Sequence, residues 1–174
     1  MPERGGATQV GGVQIRPARG CDAAAMRPLI ERHAAYEGGV ATVAIDALRS
    51  ALDQRPPLLL AWIAEQDHVP IGYAAATLDF STWACRRFLH LDCLFVDAQA
   101  RGAGVGSALL ETVRRHARQL GVDELQWQTP DWNAQAIRFY RREGATALPK
   151  MRFRLRADQL GETAGLAVPP PHSQ

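Results

Sequence analysis

A glycine-rich segment, Arg101-Gly102-Ala103-Gly104-Val105-Gly106, lies between a strand-like run at 88–96 and a helix-like run at 105–120. No other feature restricts the chain as strongly. Glycine carries no Cβ, so the backbone can turn tightly and approach a bound group closely. The first turn of a helix presents N–H groups with no intrahelical partner and the positive end of the helix dipole. Together they make a seat for phosphate, to which Arg101 adds a full charge in fork geometry. A dinucleotide fingerprint would need glycine where Ser107 stands, and a Walker loop would need a lysine that is missing. The pattern that remains is Arg-x-x-Gly-x-Gly.

Around this segment strands and helices alternate. Val13–Pro17 alternates apolar and polar residues, as an edge strand does. Asp22 is placed to cap a helix through Met26, Leu29, Ile30 and His33 that fades at Gly38-Gly39. A second helix covers 44–52 and is stopped by Pro56-Pro57. Strands follow at 58–64, 71–80 and 88–96. In the last, Leu89, Leu91, Cys93 and Phe95 alternate against His90, Asp92 and Leu94. The helix at 105–120 has an apolar face of Val105, Leu109, Val113, Ala117 and Leu120, with Gly121 as its C-terminal stop. A strand at 124–129, a helix from the cap Asn133 through Ile137 and Tyr140 to Gly144, and a closing strand at 151–155 complete the order β-α-α-β-β-β-α-β-α-β. The expected class is α/β in the α+β sense: a mixed, largely antiparallel central sheet flanked by helices. Residues 1–12 are expected to be a flexible arm, 13–157 a single domain, and 158–174 a loose tail.

Bulk properties exclude several functions. A chain of 174 residues, 47% hydrophobic and 22% charged, suits one globular domain. A net charge of +2 without basic runs gives no footprint for nucleic acid. No apolar stretch reaches the roughly 18 residues of a membrane span. The N-terminus lacks the apolar core of a signal peptide, so a cytoplasmic location is expected. Cys21, Cys85 and Cys93 lack metal-type spacing and read as reduced thiols. The histidines form no HxxxH pair, so no metal site is expected.

Further residues join the loop in one pattern: Leu94-Phe95-Val96 upstream, Asn133 at the start of the later helix, and Phe139-Tyr140-Arg141-Arg142-Glu143-Gly144-Ala145 at its end. Over residues 13–155 the chain resembles the GNAT superfamily of N-acetyltransferases. Tyr36-Glu37, Gly72-Tyr73-Ala74, Trp83, Leu91-Asp92 and Trp132-Asn133 are similar, in order, to motifs of the spermidine/spermine (diamine) N-acetyltransferase branch. The resemblance implies a GNAT-type acyl-CoA N-acyltransferase fold and acetyl-CoA as co-substrate, with no metal. It implies that Arg101, Gly102, Ala103, Gly104, Val105, Gly106 and Ser107 hold the pyrophosphate, with Leu94, Phe95 and Val96 along the pantetheine arm. Asn133, Ala136 and Tyr140 complete the implied cofactor set.

An alkyl amine has a pKa near ~10.4, so at pH 7 roughly one molecule in a few thousand is the neutral nucleophile. An enzyme must therefore remove a proton from the amine and return one to the leaving thiolate. Tyr140 is the expected general acid, and Asp92 the expected base, directly or through water, or an anchor for the cationic amine. Tyr36, Glu37, Asp79, Trp83, Asp92, Gln126, Trp127, Gln128 and Asp131 are candidates to line the acceptor pocket. Asp92 stands where the polyamine branch has Glu, and Cys93 where it has an acid. The stretch Lys150-Met151-Arg152-Phe153-Arg154 is basic where that branch is acidic. The expected acceptor is thus a small diamine or amino-acid-like amine, whose carboxylate Lys150 or Arg152 would pair. The rival readings are a protein lysine or N-terminal acetyltransferase, an aminoglycoside-modifying enzyme, and a non-catalytic acyl-CoA sensor. A homodimer is expected from the related branches, with Trp83 and residues 78–87 near the partner.

Overall fold

The computed structural model describes residues 8–156 and residue 159. Its centre is a six-stranded sheet: β1 (Thr8–Val10), β2 (Val13–Pro17), β3 (Leu60–Gln66), β4 (Val69–Ser81), β5 (Arg86–Val96) and β6 (Leu125–Gln126), in that spatial order. Neighbours are antiparallel from β1 to β5, whereas β5 and β6 are parallel. Helices α1 (Ala23–Tyr36) and α2 (Ile45–Asp53) precede β3, α3 (Val105–Gln119) joins β5 to β6, and α4 (Ala134–Arg142) follows β6. The expected α+β class with a largely antiparallel sheet is what the chain adopts.

Helices cover both faces of the sheet, so there are two apolar cores. Val105, Leu109, Leu110 and Val113 of α3 pack on Ile15, Trp62, Ala74, Ala76, Leu89 and Leu91. Met26 and Leu29 of α1 pack on Ile63, Tyr73, Ala75 and Phe95 from the other side. The run Ala74-Ala75-Ala76 in β4 is buried on both faces. Small side chains there let helices close in from either side at the density of a protein interior.

Strand β5 does not alternate as its sequence suggests. Ala75 pairs with Cys93 but Ala76 pairs with Leu91, leaving Asp92 as an extra residue without a partner on β4. This bulge reverses the side-chain phase. Before it Leu89 and Leu91 face α3. After it Cys93 and Phe95 face α1, while Leu94 and Val96 face α3.

Other expectations are corrected. The stretch expected to be an arm includes strand β1, because Thr8, Gln9 and Val10 find a ladder on β2; residues 1–7 lie outside the described residues. So does the expected tail, except Gln159. The strand expected at 124–129 is two residues long. The closing strand at 151–155 is absent: the segment is irregular, with Met151 82% and Phe153 85% exposed. Alternation alone does not make a strand; its backbone needs a ladder partner, and β6 offers a very short edge. Asp22 stands at the start of α1, but its carboxylate does not cap the helix. It accepts two hydrogen bonds from Arg16, each 2.9 Å, and one from the Arg19 backbone N–H. The Arg16 pairing holds the Asp22 carboxyl below its ordinary value despite burial.

His116 of α3 meets Trp62 edge-on at 5.2 Å, and its Nε2 is buried without a hydrogen-bond partner among the described residues. Burial lowers its pKa, opposed by a hydrogen bond to Gln119. The unfolded imidazole takes a proton near ~6.5, the folded one only at lower pH. In that window the unfolded state binds more protons, so stability falls as pH drops below about 6.5. The melting temperature is therefore expected to fall between about pH 7.5 and about pH 5, and the fall is expected to be shallower in His116→Leu.

Candidate active site

The ladder between β5 and β6 consists of Leu89 with Leu125 and His90 with Gln126. Beyond His90, β5 is paired along its β4 side alone, so the sheet splits between its last two strands. The glycine loop and the start of α3 stand at the end of β5, beside this split. Gly102 and Gly104 have φ of 84° and 80°, a left-handed conformation that favours glycine. The first ladder bond of α3 runs from the Ala108 N–H to the Gly104 carbonyl. The N–H groups of Val105, Gly106 and Ser107 therefore precede the helix's own bonding and are available to an anion. Gly102, Ala103 and Gly104 are exposed. A Cβ on Gly102 would meet nothing within 4 Å, so a ligand can approach the loop without obstruction.

Gly106 marks where three elements converge. A Cβ built there would lie 3.6 Å from the Phe139 ring and 3.9 Å from Val96 Cγ2. The loop, the end of β5 and α4 are thus neighbours. Ser107 Oγ donates to Glu143 Oε1 at 2.6 Å, tying α3 to the end of α4. Only the backbone N–H of Ser107 is then left for the phosphate role expected of it. Tyr140 lies on this side of α4, its ring centroid 5.1 Å from both Trp127 and Phe139. Asn133 caps α4 as expected: its Oδ1 accepts from the Ala136 N–H at 3.1 Å. Ala136 is half-buried one turn into the helix.

The end of α1 reaches the same region. The Tyr36 hydroxyl is 3.5 Å from Asn133 Oδ1, and its ring lies 6.1 Å from that of Trp132. Arg101 is drawn inward. Its Nε donates to the Val96 carbonyl at 2.9 Å, and its guanidinium sits 4.8 Å from the Tyr36 ring centroid and 5.8 Å from that of Phe95. Tyr36, Phe95 and Arg101 also line a cavity of about 470 Å³ with Arg32 and Asp97.

Four titratable groups share one environment. Burial pushes the Tyr140 hydroxyl up to about 12, with smaller contributions from Glu37 and Cys93. Burial pushes the Cys93 thiol up to about 12 as well; Tyr73 opposes the rise, and Asp92 and Glu37 add to it. Cys93 does not point away from Asp92 as simple alternation requires. Across the bulge its Sγ lies 3.6 Å from Asp92 Oδ2. Asp92 itself is exposed.

The remaining candidates divide. Trp127 and Gln126 stand at and just beyond β6, and Gln126 donates to Glu124 Oε1. Gln128 and Asp131 are exposed further along. Asp79 and Trp83 are not brought to the site within one chain. Asp79 pairs with Phe88, four residues before Asp92, or roughly 13 Å along the strand at about 3.3 Å per residue. Trp83 is 99% exposed in the hairpin turn beyond it. Two groups that sequence reading left out of the site, His33 and Tyr73, pair with each other at 3.0 Å and pack on Phe95. The four-residue spacing of His33 and Glu37 on one helix marks that pair alone, and nothing in the sequence marks the contact of His33 with Tyr73.

Among the described residues no group of three or more His, Cys, Asp or Glu is placed to hold a metal ion. None of their helices is long and apolar enough to cross a membrane.

A mixed sheet that splits beside a glycine loop opening a helix defines an acyl-CoA-dependent N-acyltransferase fold. The chain belongs to the acetyltransferase (GNAT) family, whose profile matches residues 24–145. It is 28% identical over 167 residues to a thialysine N-epsilon-acetyltransferase of Bos taurus, covering 88% of this chain and 98% of the relative. It is 30% identical over 95 residues to an L-ornithine N5-acetyltransferase of Arabidopsis thaliana, covering 54% of this chain and 42% of that protein. In fold it matches an integron cassette protein from the mobile metagenome of V. cholerae with a TM-score of 0.70 at 21% identity, over 86% of this chain and 95% of the other. The protein is thus an N-acetyltransferase of amines, near the thialysine and spermidine/spermine branch, and the family implies acetyl-CoA as its co-substrate.

Proposed function

We propose that the protein transfers an acetyl group from acetyl-CoA to the side-chain amine of a small amino-acid-like molecule, with Tyr140 as general acid and Asp92 as base. The observation that carries this reading is the convergence of the exposed glycine loop, the split edge of β5 and Tyr140 around Gly106. Acetyl-CoA supplies the acetyl thioester. The residues of the chain do the rest. The N–H groups of Val105, Gly106 and Ser107 hold phosphate at the helix start. Leu94, Phe95 and Val96 offer the unpaired strand edge to the extended arm of the cofactor. Asp92 attracts the ammonium group and takes its proton at a carboxylate oxygen, directly or through water. Tyr140 holds its proton at neutral pH, because its hydroxyl titrates only at about 12, and gives it to the departing sulfur. Glu37, close enough to influence Tyr140 and Cys93, adds a second negative charge that favours a cationic acceptor.

An amino-acid-like acceptor is favoured by the relatives named for thialysine and ornithine. The basic stretch at 150–154, where the polyamine branch is acidic, supports the same choice. The test is thiol release from acetyl-CoA with thialysine, ornithine and lysine beside spermidine. The amino acids are expected to turn over faster, and faster turnover of spermidine overturns the assignment of acceptor. Asp92→Asn is expected to lower kcat/KM for the amine about tenfold at pH 7, with acetyl-CoA affinity unchanged. Full activity in that variant removes Asp92 from the reaction. A homodimer belongs to the same proposal, with exposed Leu78, Phe80 and Trp83 of the β4–β5 hairpin near the partner; a 19 kDa species in light scattering at micromolar concentration overturns it.

A further inference from the structure

Helix α4 carries Tyr140 but has little to hold it in place. None of its residues is fully buried, and no strand follows it among the described residues. Phe139 and Tyr140 are partly buried against the α3 core. Among the described residues, every hydrogen bond that joins 134–145 to another element runs through Glu143. Its Oε1 accepts from Ser107 Oγ at 2.6 Å, and its Oε2 from Nη1 of Arg114 at 3.4 Å. Its backbone carbonyl accepts from Nη2 of the same arginine. Both donors stand on α3. Ser107 is in the first turn, and Arg114 lies about two turns further on. Glu143 is therefore gripped at side chain and main chain by one helix, and its side chain is only 16% exposed.

Helix α4 itself gives no reason for a carboxylate at this position. Glu143 caps its C-terminal end, where the negative pole of the helix dipole disfavours an acidic side chain. The partners of the carboxylate come from α3, whose first turn is a positive pole. We propose that Glu143 is a positioning residue: with Ser107 and Arg114 it locks α4 to the helix that seats the phosphate, and so sets the Tyr140 hydroxyl against the thioester. The inference rests on the reading of Tyr140 as general acid. Phosphate and thioester are the two ends of one bound molecule, so the acid must keep its place relative to the helix that holds the first end. A proton passes only within hydrogen-bond reach, and a shift of about 1 Å can reduce a rate about a hundredfold. The lock acts less than one turn from Tyr140, and the Ala145 N–H closes that turn on the Tyr140 carbonyl at 3.0 Å. Arg114 also balances the carboxylate charge beside the phosphate seat.

The test measures kcat and the KM for acetyl-CoA in Glu143→Ala, Ser107→Ala and Glu143→Gln, with both alanine variants repeated in the Tyr140→Phe background. Each alanine variant is expected to lose about tenfold in kcat. The KM for acetyl-CoA is expected to stay unchanged, because both variants keep the backbone N–H groups at the start of α3. Glu143→Gln retains an oxygen for the Ser107 hydroxyl and the main-chain bond to Arg114, and is expected to recover most of the loss. In the Tyr140→Phe background the alanine variants are expected to lose nothing further, since no hydroxyl is left to misplace. Should Glu143→Ala fail to fold, Ser107→Ala, which removes a single oxygen, carries the same comparison. Wild-type kcat in the folded alanine variants overturns the proposal. So does the same tenfold loss with and without the Tyr140 hydroxyl, which would make the effect of Glu143 independent of the acid. If Tyr140→Phe is impaired while the alanine variants are not, the lock alone falls; full activity in Tyr140→Phe removes both the acid and the lock.

Discussion

Replacing Tyr140 by phenylalanine is expected to lower kcat by about a hundredfold while leaving acetyl-CoA affinity unchanged. The reason is local. The ring of Tyr140 fills the space between Trp127 and Phe139, and a phenylalanine ring fills it equally. What is lost is one hydroxyl whose proton, held up to about 12 by burial, is present throughout the neutral range. Without it the thiolate must leave unprotonated or take its proton from water. A hundredfold is about 2.7 kcal/mol of barrier, within the usual range for loss of a general acid. Steady-state kinetics with the preferred amine, beside calorimetric titration of acetyl-CoA, separates chemistry from binding. Unchanged kcat would reduce Tyr140 to a packing residue.

Replacing Leu109 by alanine is expected to cost about 2–5 kcal/mol of stability. Leu109 is fully buried, in the core that joins α3 to Trp62, Leu89 and Leu91. Its removal leaves a cavity in that core, which relaxes only in part. The effect reaches the site because the same helix presents Val105, Gly106 and Ser107 to phosphate. Urea unfolding monitored at the tryptophans gives the loss directly. Saturating acetyl-CoA is expected to restore about 2.7 kcal/mol at a hundred times its Kd, because it binds only the folded chain. A restoration that small beside a larger loss would still leave the variant less stable than the unliganded wild type.

Much of this architecture could be read from the residues. The loop was legible because glycines at positive φ followed by a 3.6-residue apolar period have few other uses. The meander of β3, β4 and β5 was legible from three short apolar runs with turns between them. The bulge was not. On a sheet covered by helices on both faces, both sides of a strand are apolar, so Leu94 and Val96 hide the change of phase that Asp92 introduces. The segment at 151–155 misled for the opposite reason: it carries a clean alternation but no ladder partner among the described residues. In the site, Asp92, Tyr140 and Glu37 were drawn from motif positions and do share one environment. Trp83 came from the same set of motifs and Asp79 from its charge, yet the hairpin carries both away along the strand, a distance that a linear pattern does not encode. His33 and Tyr73 were passed over because a buried polar pair is visible only once α1 has been laid on the sheet.

The extra residue in β5 also sets how this protein can vary over generations. Substitutions along 88–96 change one contact at a time and can be absorbed. A change of length can be absorbed at one place only. Deleting Asp92 would close the bulge and leave Cys93 to Val96 opposite the β4 partners they have now, whereas deleting a later residue with the bulge kept would shift every following pair by one and carry Phe95 from under α1 to under α3. Lineages descending from this chain are therefore expected to diverge freely in the letters of this strand and, where its length changes, to gain or lose the residue at the bulge.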